Sequence, residues 1–325
     1  MVMQTSGRRL NILATEYGLL LMLLVLALIF TVLNPSFFTL TNFTTVLAQN
    51  AALLVISVGA TFAIISRNID LSPGSLIALC GTVIGLVFTQ TGNIFLGLLA
   101  GLLAIVLIEV FNALLIARLG INPLIVTLAA WIWARGLAVS LTGANSIVIQ
   151  DPLITFMSQN LGLGITPPII LVALAFVAGW FLLHKTRLGR YTYAMGSDER
   201  ATIQAGVDTT RYKVLMFAMF GVLVAVATLI TIGRLGTASP DAVYGLELDA
   251  IVSVIIGGNP FQGGSGRLRR TLIGALFISV LNNGLSNLGM LDSQIAVYKG
   301  SAILLALLFS VVSAQLLNRT PVQQG

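Results

Sequence analysis

The sequence predicts an all-α integral membrane protein of about ten transmembrane helices, with both termini in the cytoplasm. Three observations carry that expectation. Of 325 residues, 57% are hydrophobic and 9% charged, against about a quarter charged in an ordinary soluble domain, so the chain cannot clothe its surface in water. The apolar residues come in runs near the roughly 20 residues that cross a hydrocarbon core. The Lys and Arg residues gather at the ends of those runs, which is a topology signal. With a net charge of +6 and a pI near 9.9, that placement makes the lipid bilayer the expected partner of the basic balance, and not nucleic acid.

The elements follow in order. Arg8 and Arg9 precede an apolar run from Tyr17 to Leu33 with no small-residue cleavage site after it, so this is an uncleaved first span entering from the cytoplasm. Asn34, Pro35, Phe37 and Phe38 suit its interfacial end. Further spans are expected at Thr45 to Ser66, Pro73 to Gln90, Asn93 to Ala117, Pro123 to Leu141, Pro168 to Leu183, Val214 to Ile232, Leu248 to Gly257, Leu272 to Leu288 and Ile295 to Leu317. The eighth is short, and a re-entrant segment is its rival. Charge decides for a true crossing, because only that puts Arg267, Arg269, Arg270 and Arg319 in the cytoplasm. Lys185 to Lys213 holds Lys185, Arg187, Arg190, Arg200, Arg211 and Lys213, and reads as the largest cytoplasmic loop, 185–213. Gly143 to Pro167 has no base and Gly236 to Asp249 has three acids and no base, so both belong outside. The whole chain, 1–325, reads as one transmembrane domain.

Several chemistries are excluded. There is no phosphate loop and no His-Glu-x-x-His, so the chain cannot hydrolyse ATP by a P-loop mechanism. One histidine, His184, and one cysteine, Cys80, are too few for a metal site of those ligands or a disulfide. Gly81/Gly85 and Gly97/Gly101 have small-xxx-small spacing, read here as close intrachain packing ahead of a dimerisation face. In the basic loop, Ser197 is expected to cap a helix of about two turns whose first turn carries Asp198 and Glu199, with Gly206 as its left-handed stop. That helix is either a solvated connector or a docking element. Asp70 lies between two apolar runs just before Ser72, Pro73 and Gly74, so the backbone is expected to break there. It either caps the next helix or lines a cavity, since a charge at bilayer depth costs roughly 2.5–3.5 kcal/mol. Glu109 beside Asn112, and Asn282, Asn283 and Asn287, put more polar groups inside apolar spans, where interhelical hydrogen bonds and a polar pathway explain them about equally. The glycine-rich stretch from Gly245 to Gly266, with Glu247 and Asp249 at its start, reads as a hinge between spans.

Several ordered motifs together resemble the permease subunits of ribose-, xylose-, galactose- and autoinducer-2-type ABC importers over nearly the whole chain. They are Ile69-Asp70-Leu71-Ser72 with Gly74-Ser75, Ile121-Asn122-Pro123-Leu124-Ile125-Val126-Thr127-Leu128 with Arg135-Gly136, the segment Thr186 to Gly206, and Glu247-Leu248-Asp249-Ala250-Ile251 with Gly257-Gly258 and Gly263-Gly264. Arg67-Asn68 stand where the family usually has two glycines, Pro73 where it has valine, and Asn259-Pro260-Phe261-Gln262 with the basic cluster at 267–270 also depart from its pattern. The resemblance implies a permease in the bacterial inner membrane moving a sugar or sugar-like solute inward. It implies as partners a cytoplasmic ATPase, which uses ATP and magnesium, an extracytoplasmic solute-binding protein, and a second permease chain forming a homodimer or heterodimer. No cofactor is expected on this chain and no catalytic residue. ATPase coupling falls to Arg190, Gly196, Ser197, Asp198, Glu199, Ala201 and Gly206. The pathway or its gates fall to Asn68, Asp70, Ser72, Asn112, Thr127, Glu247, Asp249, Asn282, Asn283 and Asn287. A branched-chain amino acid permease is the nearest alternative, and an ion-coupled secondary transporter the alternative from another class.

Overall fold

The computed structural model describes residues 3–291 and 293–305, with side chains from residue 18 onward. Helix α1 (Met3–Leu33) leads through a single turn at Pro35–Phe37 into α2 (Leu40–Gln49) and α3 (Ala51–Ile65). Then come α4 (Pro73–Thr91), α5 (Ile94–Arg118), α6 (Pro123–Thr142), β1 (Ile147–Val148), α7 (Pro152–Phe156) and α8 (Pro167–Lys185). The second half holds α9 (Arg187–Ser197), α10 (Glu199–Gln204), α11 (Thr209–Leu235), β2 (Thr237–Ala238), α12 (Leu246–Ile256), α13 (Leu268–Asn287) and α14, residues 293–305. The expected tenth span continues past residue 305 and so lies partly outside the described residues.

Local chemistry sets the ends. Asn93 accepts from the amides of Phe95 and Leu96 to start α5, Asn122 accepts from Leu124 before Pro123 to start α6, and Gly92, Gly143 and Gly236 supply left-handed stops. Helices α4, α5, α6, α8 and α11 are each long and apolar enough to cross a membrane, and α2 with α3 makes a sixth candidate bent by 56°. Every residue of α3 is buried, packed among α8, α11, α12 and α13. By contrast, α5 exposes Leu99, Leu103, Leu107 and Phe111 along one side, a surface that suits lipid. The glycine pairs serve packing within the chain: a methyl at Gly97 would lie 2.9 Å from the Ile84 carbonyl, and one at Gly101 2.7 Å from the Ile84 side chain.

Two faces of the bundle are identified by their contacts. On one, β1 and β2 pair antiparallel, Ile147 opposite Ala238. On the other, the basic face, α9 lies against the end of α3 and the 257–267 loop: a methyl at Gly196 would sit 1.7 Å from the Ile65 carbonyl, and Gly264 N donates to that same oxygen at 2.8 Å. The chain therefore passes from the ribbon face to the basic face between β2 and Gly264.

Four expectations need correction. The second span is not continuous, because the Asn50 side chain donates to Val46 O at 2.9 Å, inserting into the helical ladder where α2 ends and α3 begins. The basic segment is not a loop around one short helix. Amphipathic α9 precedes it, and α11 begins at Thr209, ahead of the expected Val214, because Asp208 accepts from Arg211 N. The cap of α10 is Asp198, accepting from Ala201 N at 2.9 Å, whereas Ser197 is the last residue of α9. Gly206, at φ +82°, is the left-handed stop as expected. Finally, Gly236 to Asp249 is not one surface loop, because α12 begins at Leu246, ahead of the expected Leu248, and Val243 O lies against Gly74 in the first turn of α4. At 1.5 Å per residue, the eleven residues of α12 reach about 17 Å, roughly half of a 30 Å core. Residues 239–245 lead from the ribbon to the first turns of α4 and α12.

Candidate functional site

Both breaks in the bundle meet near its middle. Ser66 Oγ donates to Met216 Sδ, while farther along the chain Asp70 reaches Glu109, which lies against Gly221, more than a turn beyond Met216 on α11. Segment 66–72 thus climbs back into the bundle after α3 has reached the basic face. Glu109 is nine residues from the Arg118 end of α5, about 14 Å at helical rise, close to the midplane of a 30 Å core.

Segment 239–245 is held by α6. Arg135 Nη1 donates to the carbonyls of Pro240 (2.6 Å) and Ala242 (3.2 Å), with its guanidinium 5.5 Å from the Tyr244 ring centre. Trp131 Nε1 donates to Glu247 Oε1 at 3.0 Å. The other Glu247 oxygen lies against Gly74, where an added methyl would come within 1.9 Å of it. A side chain there would have to displace the Glu247 carboxylate from between the first turns of α4 and α12. Two residues on, Asp249 faces the opposite way and pairs with Lys299 Nζ at 2.7 Å.

That opposite face of α12 closes a cavity of about 590 Å³, within the usual ligand-pocket range of roughly 300–1,000 Å³, lined by Gln49, Asn50, Thr231, Arg234, Asp241, Tyr244, Asp249, Asn282, Asn283, Ser286 and Lys299 among others. Asn283 Nδ2 donates to Gln49 Oε1 at 3.2 Å and Arg234 Nη1 to Gln49 O at 3.2 Å. The buried Asn282 Oδ1 has no donor. Amides, carboxylates, two cations and a tyrosine offer a solute many donors and acceptors, beside an apolar wall that includes Leu53, Ile230 and Leu246.

The expected pathway residues fall into two groups. Asp249, Asn282 and Asn283 line the cavity, and Asn287 supports it from outside by donating to Asn283 Oδ1. Asn68, Asp70, Ser72, Asn112 and Thr127 form a separate buried cluster around the first break. Asp70 Oδ1 accepts from Ser72 N and Oγ at 2.8 and 2.6 Å, and Thr127 Oγ1 reaches Ile69 O at 3.4 Å. Glu247 stands between the groups. Sequence reasoning missed Gln49, Asn50, Trp131, Arg135, Arg234, Tyr244 and Lys299 as cavity or support residues. An arginine and a lysine inside apolar spans were the available signals.

On the basic face, Ser197, Asp198, Arg200, Ala201, Ile203, Gln204 and Gly206 are exposed, while Gly196 is buried against α3 and Glu199 pairs with Lys213 at 2.6 Å. Arg190 is exposed on α9. Tyr193 Oη donates to Gly266 O at 2.8 Å, and burial pushes its hydroxyl above the ordinary tyrosine value, with Arg267 opposing in part. Arg67, at φ +61°, donates through Nε to Gln262 O.

A bundle with interrupted helices around a polar cavity, and a structured basic surface tied to those interruptions, defines a multi-pass membrane permease, the transport subunit of an importer. The chain belongs to the family described as the branched-chain amino acid transport system / permease component, whose model matches residues 42–313. It is similar to the ribose import permease protein RbsC of Bacillus subtilis, at 38% identity over 94% of this chain and 96% of the relative. RbsC of Escherichia coli K12 is 36% identical over 93% and 96%, and the D-allose transport system permease protein AlsC of the same strain 33% identical over 90% of each. No solved structure gives a match.

Proposed function

We propose that this chain is the membrane subunit of an ABC importer that carries a pentose, hexose or similar polyol into a bacterial cytoplasm across the inner membrane. The observation that carries the reading is the cavity between α3, α11, α12, α13 and α14, whose amides, carboxylates and cations offer partners for hydroxyls. The names of the relatives point the same way.

In this reading the chain crosses ten times with both termini cytoplasmic. α1, the bent α2–α3 pair, α4, α5, α6, α8 and α11 account for seven crossings, residues 239–245 with α12 for the eighth, and α13 and the helix beginning at residue 293 for the rest. The partners are an ATPase subunit that binds ATP and magnesium on the basic face, a solute-binding protein on the ribbon face, and a second permease chain. ATPase closure would press on the exposed surface of α9 and α10, at Arg190, Ser197, Asp198, Ala201 and Gly206, with Gly196 and the Glu199–Lys213 pair carrying the load inward. From there two short linkages reach the bundle centre. One runs from Gly196 through Ile65 to the Asp70 break. The other runs from Gly264 through Asn259, which accepts from Arg267 N at 2.7 Å and donates to Val254 O and Thr271 Oγ1, into α12 and so to Asp249. Motion of that kind rocks one part of a bundle against another.

The test is uptake into proteoliposomes holding the permease, its ATPase and its binding protein. ATP-dependent accumulation of a labelled aldose but not of leucine is expected. Leucine accumulation, or aldose accumulation without the ATPase, overturns the reading. Gly206→Pro should cut uptake at least tenfold at unchanged membrane level.

A further inference from the structure

Asp70 and Glu109 are 3% and 0% exposed, and they approach within hydrogen-bonding reach of each other. Counted as carboxylates, Asp70 Oδ2 and both Glu109 oxygens have no donor, and the buried Asn112 Nδ2, directed at Glu109, has no acceptor in good geometry. The remaining partners of the pair are Ser72, on Asp70 alone, and Asn112, on Glu109 alone. Among the described residues, the surrounding elements bring no cation. α4 brings the Cys80 thiol, at the level of Gly101 on α5. α11 brings Gly221, its Lys213 and Arg234 lying toward the two ends of the helix. Arg135 on α6 is occupied by Pro240 and Ala242, Glu247 on α12 by Trp131, and Arg67 by Gln262 on the basic face.

Two ionised carboxylates side by side in a low-dielectric interior repel, and neither can donate to the other. We infer that Asp70 and Glu109 hold one proton between them, a buried carboxylic acid–carboxylate pair that fastens segment 66–72 to α5 at the centre of the bundle. One carboxyl O–H donates to the other's oxygen, and Asn112 donates to Glu109. Loss of that proton to bulk water leaves two carboxylates in contact, and segment 66–72 is driven off α5. Since that segment carries Arg67, tied to Gln262 on the basic face, and on the transport reading above, the pair makes coupling sensitive to alkaline pH.

The test is infrared absorption of the purified full chain in lipid nanodiscs. The wild type should show a carboxylic acid C=O band that shifts in D2O, and both Glu109→Gln and Asp70→Asn should lose it, because an amide then supplies the donor and the remaining carboxyl ionises. Glu109→Gln should hold the thermal midpoint within a few degrees, while Glu109→Ala, which strands one buried carboxylate, should lower it by roughly 4 °C or more. In the complete transporter, wild-type uptake should fall at the alkaline pH where the band disappears, and Glu109→Gln should flatten that fall. A wild-type spectrum without the band, an equal loss in Glu109→Gln and Glu109→Ala, or a midpoint that requires sodium and would make the occupant a metal cation, overturns the pair. The band surviving where sugar uptake fails would spare the proton and remove only the transport reading.

Discussion

The tightest constraint in the molecule sits at a single residue. A methyl group at Gly196 would lie 1.7 Å from the Ile65 carbonyl oxygen and 2.7 Å from Gly264 N, which are backbone atoms with no rotamer to yield. Gly196→Val should therefore separate α9 from α3, costing about 1–3 kcal/mol of local packing, and reduce ATP-driven uptake at least tenfold while the chain still reaches the membrane. Wild-type uptake by that variant would remove α9 from the coupling route. Arg67 is the converse case. It occupies a left-handed backbone conformation that costs a non-glycine residue roughly 1–2 kcal/mol, at a position where the sugar-permease pattern has glycine, and its hydrogen bond to Gln262 offsets part of that cost. The departure from the motif is visible in the sequence, but the tether that compensates it comes from nearly 200 residues away and is not.

At the scale of elements, the basic surface holds together through α9, α10 and the 257–267 loop. The Tyr193 hydroxyl donates to Gly266 O, and burial raises it above the ordinary tyrosine value. The folded state thus favours the protonated form. Its contribution is fully present below the unfolded value near 10 and is lost as pH rises through the raised folded value. Hydrogen exchange across residues 257–267 should accelerate over that alkaline window in the wild type, and Tyr193→Phe should show the faster exchange already at neutral pH. Unchanged exchange in Tyr193→Phe would deny the bond any role. Most element boundaries were legible because their signals are local: Pro73, Pro123, Asn93, Asn122 and Gly206 cap or stop helices by their own chemistry. The Asn50 bend was not, since a lone asparagine in an apolar run looks the same whether it faces a neighbour or interrupts its own helix. The segment 239–245 was misjudged for a related reason. Its one acid, Asp241, reads as solvent-facing, and the group that holds the segment, Arg135, lies on a helix more than a hundred residues earlier.

Across the whole molecule, α14 is joined to the half-length α12 by Lys299 and Asp249 at 2.7 Å, with both side chains partly buried on the cavity wall. Breaking one partner of such a pair leaves an uncompensated charge and costs about 3–5 kcal/mol when burial is complete, less here where water still reaches it. Asp249→Lys and Lys299→Asp should each lower the thermal midpoint and uptake, and the double exchange should recover at least half of the loss in midpoint. Failure of the exchange to recover any stability would show that the pair is incidental. The membrane class and the basic surface of α9 and α10 were readable from composition and basic patterning. The cavity was not, because its walls come from five separated stretches of chain, and only Asp249, Asn282 and Asn283 announced themselves as polar groups in apolar runs.

The small β1–β2 ribbon gives the molecule a second handle. Ile147 pairs with Ala238, and from Ala238 six residues of tight turns lead to Tyr244 on the cavity wall. A displacement of the 143–166 region would therefore be felt at the cavity wall through those six residues of chain, by a route independent of α9 and α10.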